Sequence, residues 1–162
     1  MKAQAWSTDF VVSAVIFVLI FALVLFTWNQ TLYQTQQKIT LSKMQTLVSE
    51  ISDSLIRTPG FPENWNQTNV ESLGFAEEEN VLNATKIGVF LSMDNDTIKS
   101  VLGIENYDFF FEIVYPNGSV GEINGTPVIK GNQPVNAAVL VPVERYVMFE
   151  NTPAKMRFIL WY

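Results

Sequence analysis

The chain has 162 residues and a formal net charge of −6, and it contains neither cysteine nor histidine. The missing residue types exclude disulfides, thiol nucleophiles, imidazole bases and nearly every zinc or haem site. Only 10 lysines and arginines stand against 16 acidic residues, and no basic stripe is present, so the sequence gives nucleic-acid binding no support. The catalytic groups that remain are carboxylates, hydroxyls and a few lysines, and no motif arranges them as an active site. We therefore expect a structural or binding role, with no enzymatic activity, metal or cofactor.

The first element is an apolar run, Phe10 to Phe26, whose only polar residue is Ser13. Extended to residues 10–28, the run approaches the roughly 20 residues that a helix needs to span a bilayer. A cleaved secretory signal has a shorter apolar region followed by a small-residue cleavage site, and no such site follows here. We expect the segment to be retained, with Lys2 inside the cell and the body of the protein outside.

The second element continues the same helix with a different pattern. Between Gln30 and Arg57 there is no proline or glycine, and Thr58-Pro59-Gly60 then gives a strong stop signal. The sequence therefore predicts a long helix over residues 5–57, apolar on all sides in its first half and amphipathic in its second. The predicted apolar stripe of the second half consists of Met44, Leu47, Val48, Ile51 and Leu55.

This N-terminal third resembles type IV pilins, and in particular the archaeal branch whose precursors carry class III signal peptides. The matching residues are Lys2-Ala3-Gln4, which are similar to the basic-small-Gln processing motif, followed by Ser7, Asp9 and the apolar run. The segment Thr58–Asn66 (TPGFPENWN) is also similar to a recurrent segment of archaeal pilin-like proteins.

The resemblance implies processing and self-assembly. A prepilin peptidase would remove a leader within residues 1–4 on the cytoplasmic side of the membrane, cutting after Ala3 in one alignment and after Gln4 in the other. A pilus assembly machinery would then draw the helix out of the membrane and into a helical homopolymer. The implied partners are therefore other copies of this chain, the membrane before assembly, and that machinery.

Asp9 stands just before the apolar run, where a charge has a desolvation cost. The resemblance implies that Asp9 of one subunit pairs with the N-terminal amine of a neighbour, which offsets that cost. The residues alone allow another interpretation, in which Asp9 is an N-cap that stabilises the first turn of the helix at the membrane surface.

Residues 58–162 are predicted to form a β-rich extracellular domain. Phe61 and Trp65 lie in a loop-like segment, and both are expected to pack against the helix or the sheet. Three glutamates at 77–79 predict a solvated surface. Lys86–Met93 (KIGVFLSM) has a strand-like composition.

A short helical piece and then several strands complete the domain. Asp94-Asn95-Asp96 predicts the capped start of a helix over Thr97–Leu102, with Gly103 as its end. The predicted fold class is α+β, a long N-terminal helix packed on a C-terminal antiparallel sheet of about four strands. The strands are predicted at Tyr107–Tyr115, Val120–Ile123, Asn136–Glu150 and Lys155–Tyr162, with turns at Pro116–Ser119, Asn124-Gly125 and Asn151–Ala154 and an edge or bulge at Pro142.

The sequence also contains an excess of N-glycosylation triplets, Asn-x-Ser/Thr without proline at the middle position. With 13 asparagines and 22 serines and threonines in the chain, chance alone predicts about two such triplets. A turn-rich chain also uses these residue types together, but the excess favours real glycosylation of at least some sites. The six candidates are Asn29, Asn66, Asn83, Asn95, Asn117 and Asn124.

These patterns lead to two hypotheses. The first is a structural subunit of a type IV pilus-like filament at the cell surface, which polymerises through its apolar helix and serves adhesion or surface attachment. The second is a single-pass, membrane-anchored extracellular binding module, or a minor pilin that does not form the bulk of a filament.

Overall fold

The structure, a computed structural model, describes the backbone of residues 3–162 and their side chains except those of residues 3–7 and 33–37. Helix α1 covers Ala3–Arg57, and it ends where the following Thr-Pro-Gly stop signal predicts. The chain divides into two compact units, unit 1 over Met1–Ser42 and unit 2 over Lys43–Tyr162. The fold is α+β, as predicted.

Unit 2 contains the last turns of α1, residues 43–57, and they pack by the predicted stripe. Met44, Val48 and Leu55 are fully buried and join the core, because residues three and four apart share one face of a helix. Ile51 lies on the same face and is 6% exposed. The amphipathic pattern read from the sequence is therefore confirmed.

A six-stranded sheet packs against this stripe and supplies much of the core. Its spatial order is β1-β2-β7-β8-β3-β6, and a separate two-stranded sheet pairs β4 with β5. The main sheet is mixed, because β2 runs parallel to β7 while the other neighbours are antiparallel, so the expectation of about four antiparallel strands was too simple. The strands are β1 (Ala76–Glu78), β2 (Val81–Leu82), β3 (Asp108–Val114), β4 (Glu122–Ile123), β5 (Thr126–Pro127), β6 (Ile129–Gly131), β7 (Leu140–Phe149) and β8 (Thr152–Trp161).

The central hairpin, β7–β8, is paired over its full length from Leu140–Trp161 to Phe149–Thr152. Its two-residue turn consists of Glu150 and Asn151, both with positive φ (48° and 59°), which matches the twist of the flanking strands. The predicted turn at residues 151–154 was therefore placed too late. Pro153 is tolerated in β8 because β3 pairs with β8 only from Lys155 onwards, so no ladder bond is lost there.

Two other turn predictions have mixed outcomes. Pro142 lies on a free edge of β7, as predicted, because β2 pairs with β7 only at its last two residues, Met148 and Phe149. Asn124 and Gly125 form the predicted tight turn, with φ of 51° and 79°. That turn joins β4 to β5. The predicted strand Val120–Ile123 pairs with β3 only at its start, through a bridge between Val120 and Val114 and a hydrogen bond from the Gly121 N–H to the Ile113 carbonyl (2.8 Å).

Two short helices, α2 (Ala84–Ser92) and α3 (Asn95–Leu102), lie between β2 and β3. The prediction of a strand at 86–93 was wrong: Asn83 caps α2 by accepting a hydrogen bond from the Lys86 backbone N–H, and the helix then buries Ile87 and Phe90, three residues apart. Asp94 caps α3 and Gly103 ends it in the left-handed conformation, both as predicted.

Phenylalanines fill the space between α2 and the sheet. The ring centroids of Phe75, Phe90 and Phe111 lie 5.1 to 5.7 Å apart in edge-to-face pairs, and all three side chains are fully buried. Aromatic pairs of this geometry stabilise a core beyond their area of burial, by about 0.5–1.5 kcal/mol each.

The segment after α1 is anchored by one tryptophan. The Trp65 indole N–H donates to the carbonyls of Pro59 (3.0 Å) and Gly74 (3.1 Å), and the side chain is 4% exposed, as predicted. Phe61 was also expected to be covered, but it is 60% exposed. Its backbone pairs with Ser72, while Trp65 occupies the space under the loop.

Candidate functional site

The most unusual surface of the chain is the apolar helix of unit 1. Residues 8–32 form a helical span of 25 residues that is long and apolar enough to cross a membrane, and none of it is buried. Length and composition of this kind are shared by membrane anchors and signal sequences. A helix that is apolar on all sides requires an apolar environment on all sides.

Two threonine hydroxyls in this span bond to the helix itself. The Thr27 hydroxyl donates to the carbonyls of Leu23 (3.0 Å) and Val24 (2.9 Å), and the Thr31 hydroxyl donates to the Thr27 carbonyl (2.9 Å). Such back-bonding satisfies hydroxyl groups without water, so the helix can enter a bilayer or a bundle of helices with little polar cost. Trp28, which lies between these two threonines in the chain, is 66% exposed.

Asp9 is exposed at the start of this span, and its position excludes one of the two interpretations given above. Because α1 begins at Ala3, Asp9 lies inside the helix and not at its N-terminus, and the first turn of the helix contains no acidic residue. The N-cap interpretation is therefore wrong for this structure. In the predicted leader motif, Lys2 and the side chains of Ala3 and Gln4 lie outside the described residues.

Two of the six glycosylation triplets have closely similar geometry. Asn66 Oδ1 accepts hydrogen bonds from the Thr68 backbone N–H (2.8 Å) and hydroxyl (2.7 Å). Asn117 Oδ1 accepts from the Ser119 backbone N–H (2.9 Å) and hydroxyl (2.7 Å) in the same way. Both asparagines are exposed in turns. In each triplet the third residue therefore contacts the acceptor amide directly.

The other candidate asparagines have different surroundings. Asn83 Oδ1 is used to cap α2, and Asn95 Oδ1 is buried without a hydrogen-bond partner among the described residues. Both residues are only partly exposed. Asn124 is exposed in the tight β4–β5 turn, and Asn29 is exposed on α1 within the candidate membrane span.

An ion-pair ladder crosses the outer face of the sheet. Arg157 of β8 bonds Glu112 of β3 (2.6 Å) and Glu144 of β7 (2.8 Å), and Lys155 also bonds Glu144 (3.1 Å). The hydrogen bonds from Lys155 and Arg157 hold the pKa of Glu144 below its ordinary value. Arg157 lies directly opposite both glutamates, so the ladder adds cross-strand pairs to the register of the three strands.

The opposite face of the sheet carries a different contact. Arg145, next to Glu144 in the chain, donates to Asp53 of α1 at 3.0 Å and so ties the sheet to the helix. Adjacent strand residues point to opposite faces, which is why the sequence gives no reason to regard Glu144 and Arg145 as a catalytic couple. The structure confirms that they have separate partners.

An open cleft of about 510 Å³ lies beside the start of α2. The Lys86 amine donates to the Pro59 carbonyl at 2.7 Å across it, and burial lowers the pKa of Lys86 while Glu63 and Glu77 oppose that shift. The described residues contain no group of three side chains that could hold a metal ion. The main effect of this arrangement is to hold α2 against the segment after α1.

The comparisons with known proteins give no family for the chain. No protein-family model, no curated protein and no solved structure matches it. The function must therefore be argued from the chain itself.

The sequence reasoning missed the ladder and the Arg145–Asp53 contact. The ladder joins β7 and β8, which are close in sequence, to β3, which precedes them by about thirty residues. Only a known strand order brings Glu112 beside Arg157. The alternation of charged and apolar residues along β8, with Lys155 and Arg157 two positions apart, was the one available signal, and it does not identify partners.

Proposed function

We propose that this chain is a structural subunit of a type IV pilus-like filament at the cell surface, membrane-inserted before assembly and polymerised through the apolar half of α1. Adhesion or surface attachment is the function that such a filament would serve.

The observation that carries the proposal is the contrast between the two units. Unit 2 has a closed core of its own, with fully buried phenylalanines at its centre. Unit 1 presents fifteen large apolar side chains between residues 10 and 28 that are each more than half exposed. At about 1.5–3 kcal/mol for each such side chain fully buried, removing this surface from water is favourable by on the order of 20 kcal/mol.

A bundle of identical helices and a lipid bilayer both supply that environment, and Asp9 favours the bundle. Asp9 lies within the helix and outside its first turn, so it does not act as a cap within its own chain. A neighbouring subunit that presents its N-terminal amine would give Asp9 a partner. A single helix in lipid offers only the headgroup region.

The alternative function, a membrane-anchored binding module, is favoured by the length of the span. Twenty-five helical residues cover about 37 Å at 1.5 Å per residue, enough for one crossing of a hydrocarbon core of about 30 Å. The cleft beside α2 would then be the first place to look for a ligand.

Fractionation of cells distinguishes the two functions. Cells that express the chain are sheared, the released material is separated from membrane vesicles on a density gradient, and both fractions are examined by electron microscopy and peptide mass spectrometry. We expect the protein in thin filaments that contain no bilayer. Recovery of the protein in membrane vesicles alone would reject the filament and support the anchored module.

A further inference from the structure

We propose that Asn66 and Asn117 are N-glycosylated in this chain, and that Asn83 and Asn95 remain unmodified. The inference depends on the proposed location of unit 2 outside the cell, but it does not depend on filament formation. It narrows the six triplets of the sequence by the local structure that each one adopts.

Glycosylation requires the side-chain amide nitrogen to act as a nucleophile. Asn Nδ2 forms a bond to C1 of a sugar carried on a lipid phosphate, the bond from C1 to the phosphate oxygen breaks, and the electron pair leaves with the phosphate. Nδ2 loses one proton to a base of the transferase. The amide nitrogen is a poor nucleophile because its lone pair is delocalised into the carbonyl, and its loss of a proton is favoured by hydrogen bonds to the carbonyl oxygen.

Asn66 and Asn117 already have those hydrogen bonds. In each case the hydroxyl and the backbone N–H of the third residue both donate to Oδ1, at 2.7 to 2.9 Å. Two donors on Oδ1 draw electron density towards oxygen and make the Nδ2 protons more acidic. Both side chains are exposed, so Nδ2 is accessible to a transferase and a glycan can extend into solvent.

Two further hydrogen bonds hold the turn that contains Asn66. The Asn66 backbone N–H donates to Asn69 Oδ1 at 2.6 Å, which closes the turn on its other side. Gln67, the middle residue of the triplet, donates from Nε2 to the Ser92 hydroxyl at 2.6 Å and attaches the turn to the end of α2. The acceptor is thus held on a rigid support.

Asn83 and Asn95 lack this arrangement. Asn83 Oδ1 accepts from the Lys86 backbone N–H instead of from the third residue of its triplet, and the residue lines the cleft beside α2. Asn95 is the first residue of α3, and its Oδ1 is buried. A glycan on either residue would lie against the N-terminal end of a helix that packs on the rest of unit 2.

Site-by-site mass spectrometry of the full chain from its native cells tests the assignment. Trypsin leaves Asn66 with Asn83 and Asn117 with Asn124, but a second, glutamate-specific protease separates both pairs at Glu71 and Glu122. We expect glycopeptides to dominate at Asn66 and Asn117, and bare peptides at Asn83 and Asn95. Bare Asn66 and Asn117, or occupancy at Asn83 or Asn95 equal to theirs, would overturn the inference.

A substitution next to the triplet tests whether the closed turn at Asn66, and not the triplet alone, selects the site. Asn69→Ala leaves the triplet at 66–68 intact but removes the acceptor of the Asn66 backbone N–H, so occupancy at Asn66 should fall while occupancy at Asn117 stays unchanged. Thr68→Ser is the matched control, because it keeps a hydroxyl donor and should preserve occupancy at Asn66. Unchanged occupancy in Asn69→Ala would show that the closed turn does not select the site.

The outcome is separable from that of the filament proposal. Glycans at Asn66 and Asn117 on a protein found only in membranes would uphold this inference and reject the filament. Filaments built from chains without glycans at Asn66 and Asn117 would uphold the filament proposal and reject this inference.

Discussion

Replacement of Leu55 by alanine probes the contact between α1 and the sheet within unit 2. Leu55 is fully buried in the core, and its backbone carbonyl accepts a hydrogen bond from Phe75 at 2.8 Å, so the helix cannot shift freely to fill a cavity. A fully buried leucine replaced by alanine costs about 2–5 kcal/mol, made up of lost transfer free energy and the cavity that remains. For a unit of this size the melting temperature should fall by about 10 °C or more.

The assay is urea unfolding of the purified full-length chain in a mild detergent, followed by near-ultraviolet circular dichroism. That signal reports the fixed packing of buried aromatic side chains such as Phe75 and Trp65. With a dependence of about 1–3 kcal/mol per molar of urea, the unfolding midpoint should fall by about 1–2 M.

Leu41→Ala is the matched control, because it makes the same chemical change on the same helix. Leu41 is 40% exposed and lies in unit 1, so its loss should change the free energy of unfolding of unit 2 by less than about 0.5 kcal/mol. Equal effects of the two substitutions, or a loss below about 1 kcal/mol for Leu55→Ala, would refute the assignment of the buried stripe.

Three further predictions concern the backbone, the ladder and assembly. Gly74→Ala should destabilise unit 2 by about 1–3 kcal/mol in the same urea assay, because an added Cβ would lie 2.3 Å from the Thr58 carbonyl oxygen. Gly88→Ala on α2, where an added Cβ meets nothing within 4 Å, should be neutral or stabilising. A larger loss of stability from Gly88→Ala than from Gly74→Ala would contradict the loop geometry. The pKa of Glu144 is lowered in the folded state, so its pairing stabilises the fold above the ordinary pKa of 4.5, and the contribution is lost as pH falls through the folded pKa. Glu144→Gln should lower the melting temperature slightly at pH 7, and the difference from the parent chain should shrink as the pH falls below 4.5. A difference that does not change with pH would argue against the ion pairs. Asp9→Asn should leave unit 2 as stable as before but reduce filament yield sharply, because the N-terminal amine of the neighbouring subunit would be buried without its partner, at about 3–5 kcal/mol per subunit. A normal yield of filaments would show that Asp9 does not drive assembly.

The parts of the fold that sequence predicts well are those set by local pattern. The buried stripe of α1, the Asp94 cap and the Gly103 helix end each depend on residues within a few positions of one another. The same is true of the Asn124-Gly125 turn, which requires two residues that tolerate positive φ.

The segment 86–93 shows where local pattern is insufficient. Eight residues with a central glycine and several β-branched or aromatic side chains fit a strand as well as a helix. The Asn83 cap and the fit of Phe90 between Phe75 and Phe111 decide for the helix, and that fit depends on residues from elsewhere in the chain.

The order of the strands in the sheet could not be predicted from the sequence for a similar reason. The parallel pairing of β2 with β7 joins residues more than sixty positions apart, and β2 itself is only two residues long. The acidic run at 77–79 was correctly expected to be exposed, but its first two glutamates belong to β1. For the glycosylation triplets, the sequence gives six equal candidates, and only the hydrogen bonds of Asn66 and Asn117 set two of them apart.

The proposed filament requires that residues 10–28 of neighbouring copies pack together outside the membrane. Helical reconstruction of filaments sheared from the cell surface, by cryo-electron microscopy at a resolution that shows side chains, tests this directly. We expect a lipid-free core of α1 helices, Asp9 beside the N-terminal amine of an adjacent copy, and unit 2 on the outside. Filaments built of another protein, with this chain confined to the membrane as a single-helix anchor, would contradict it.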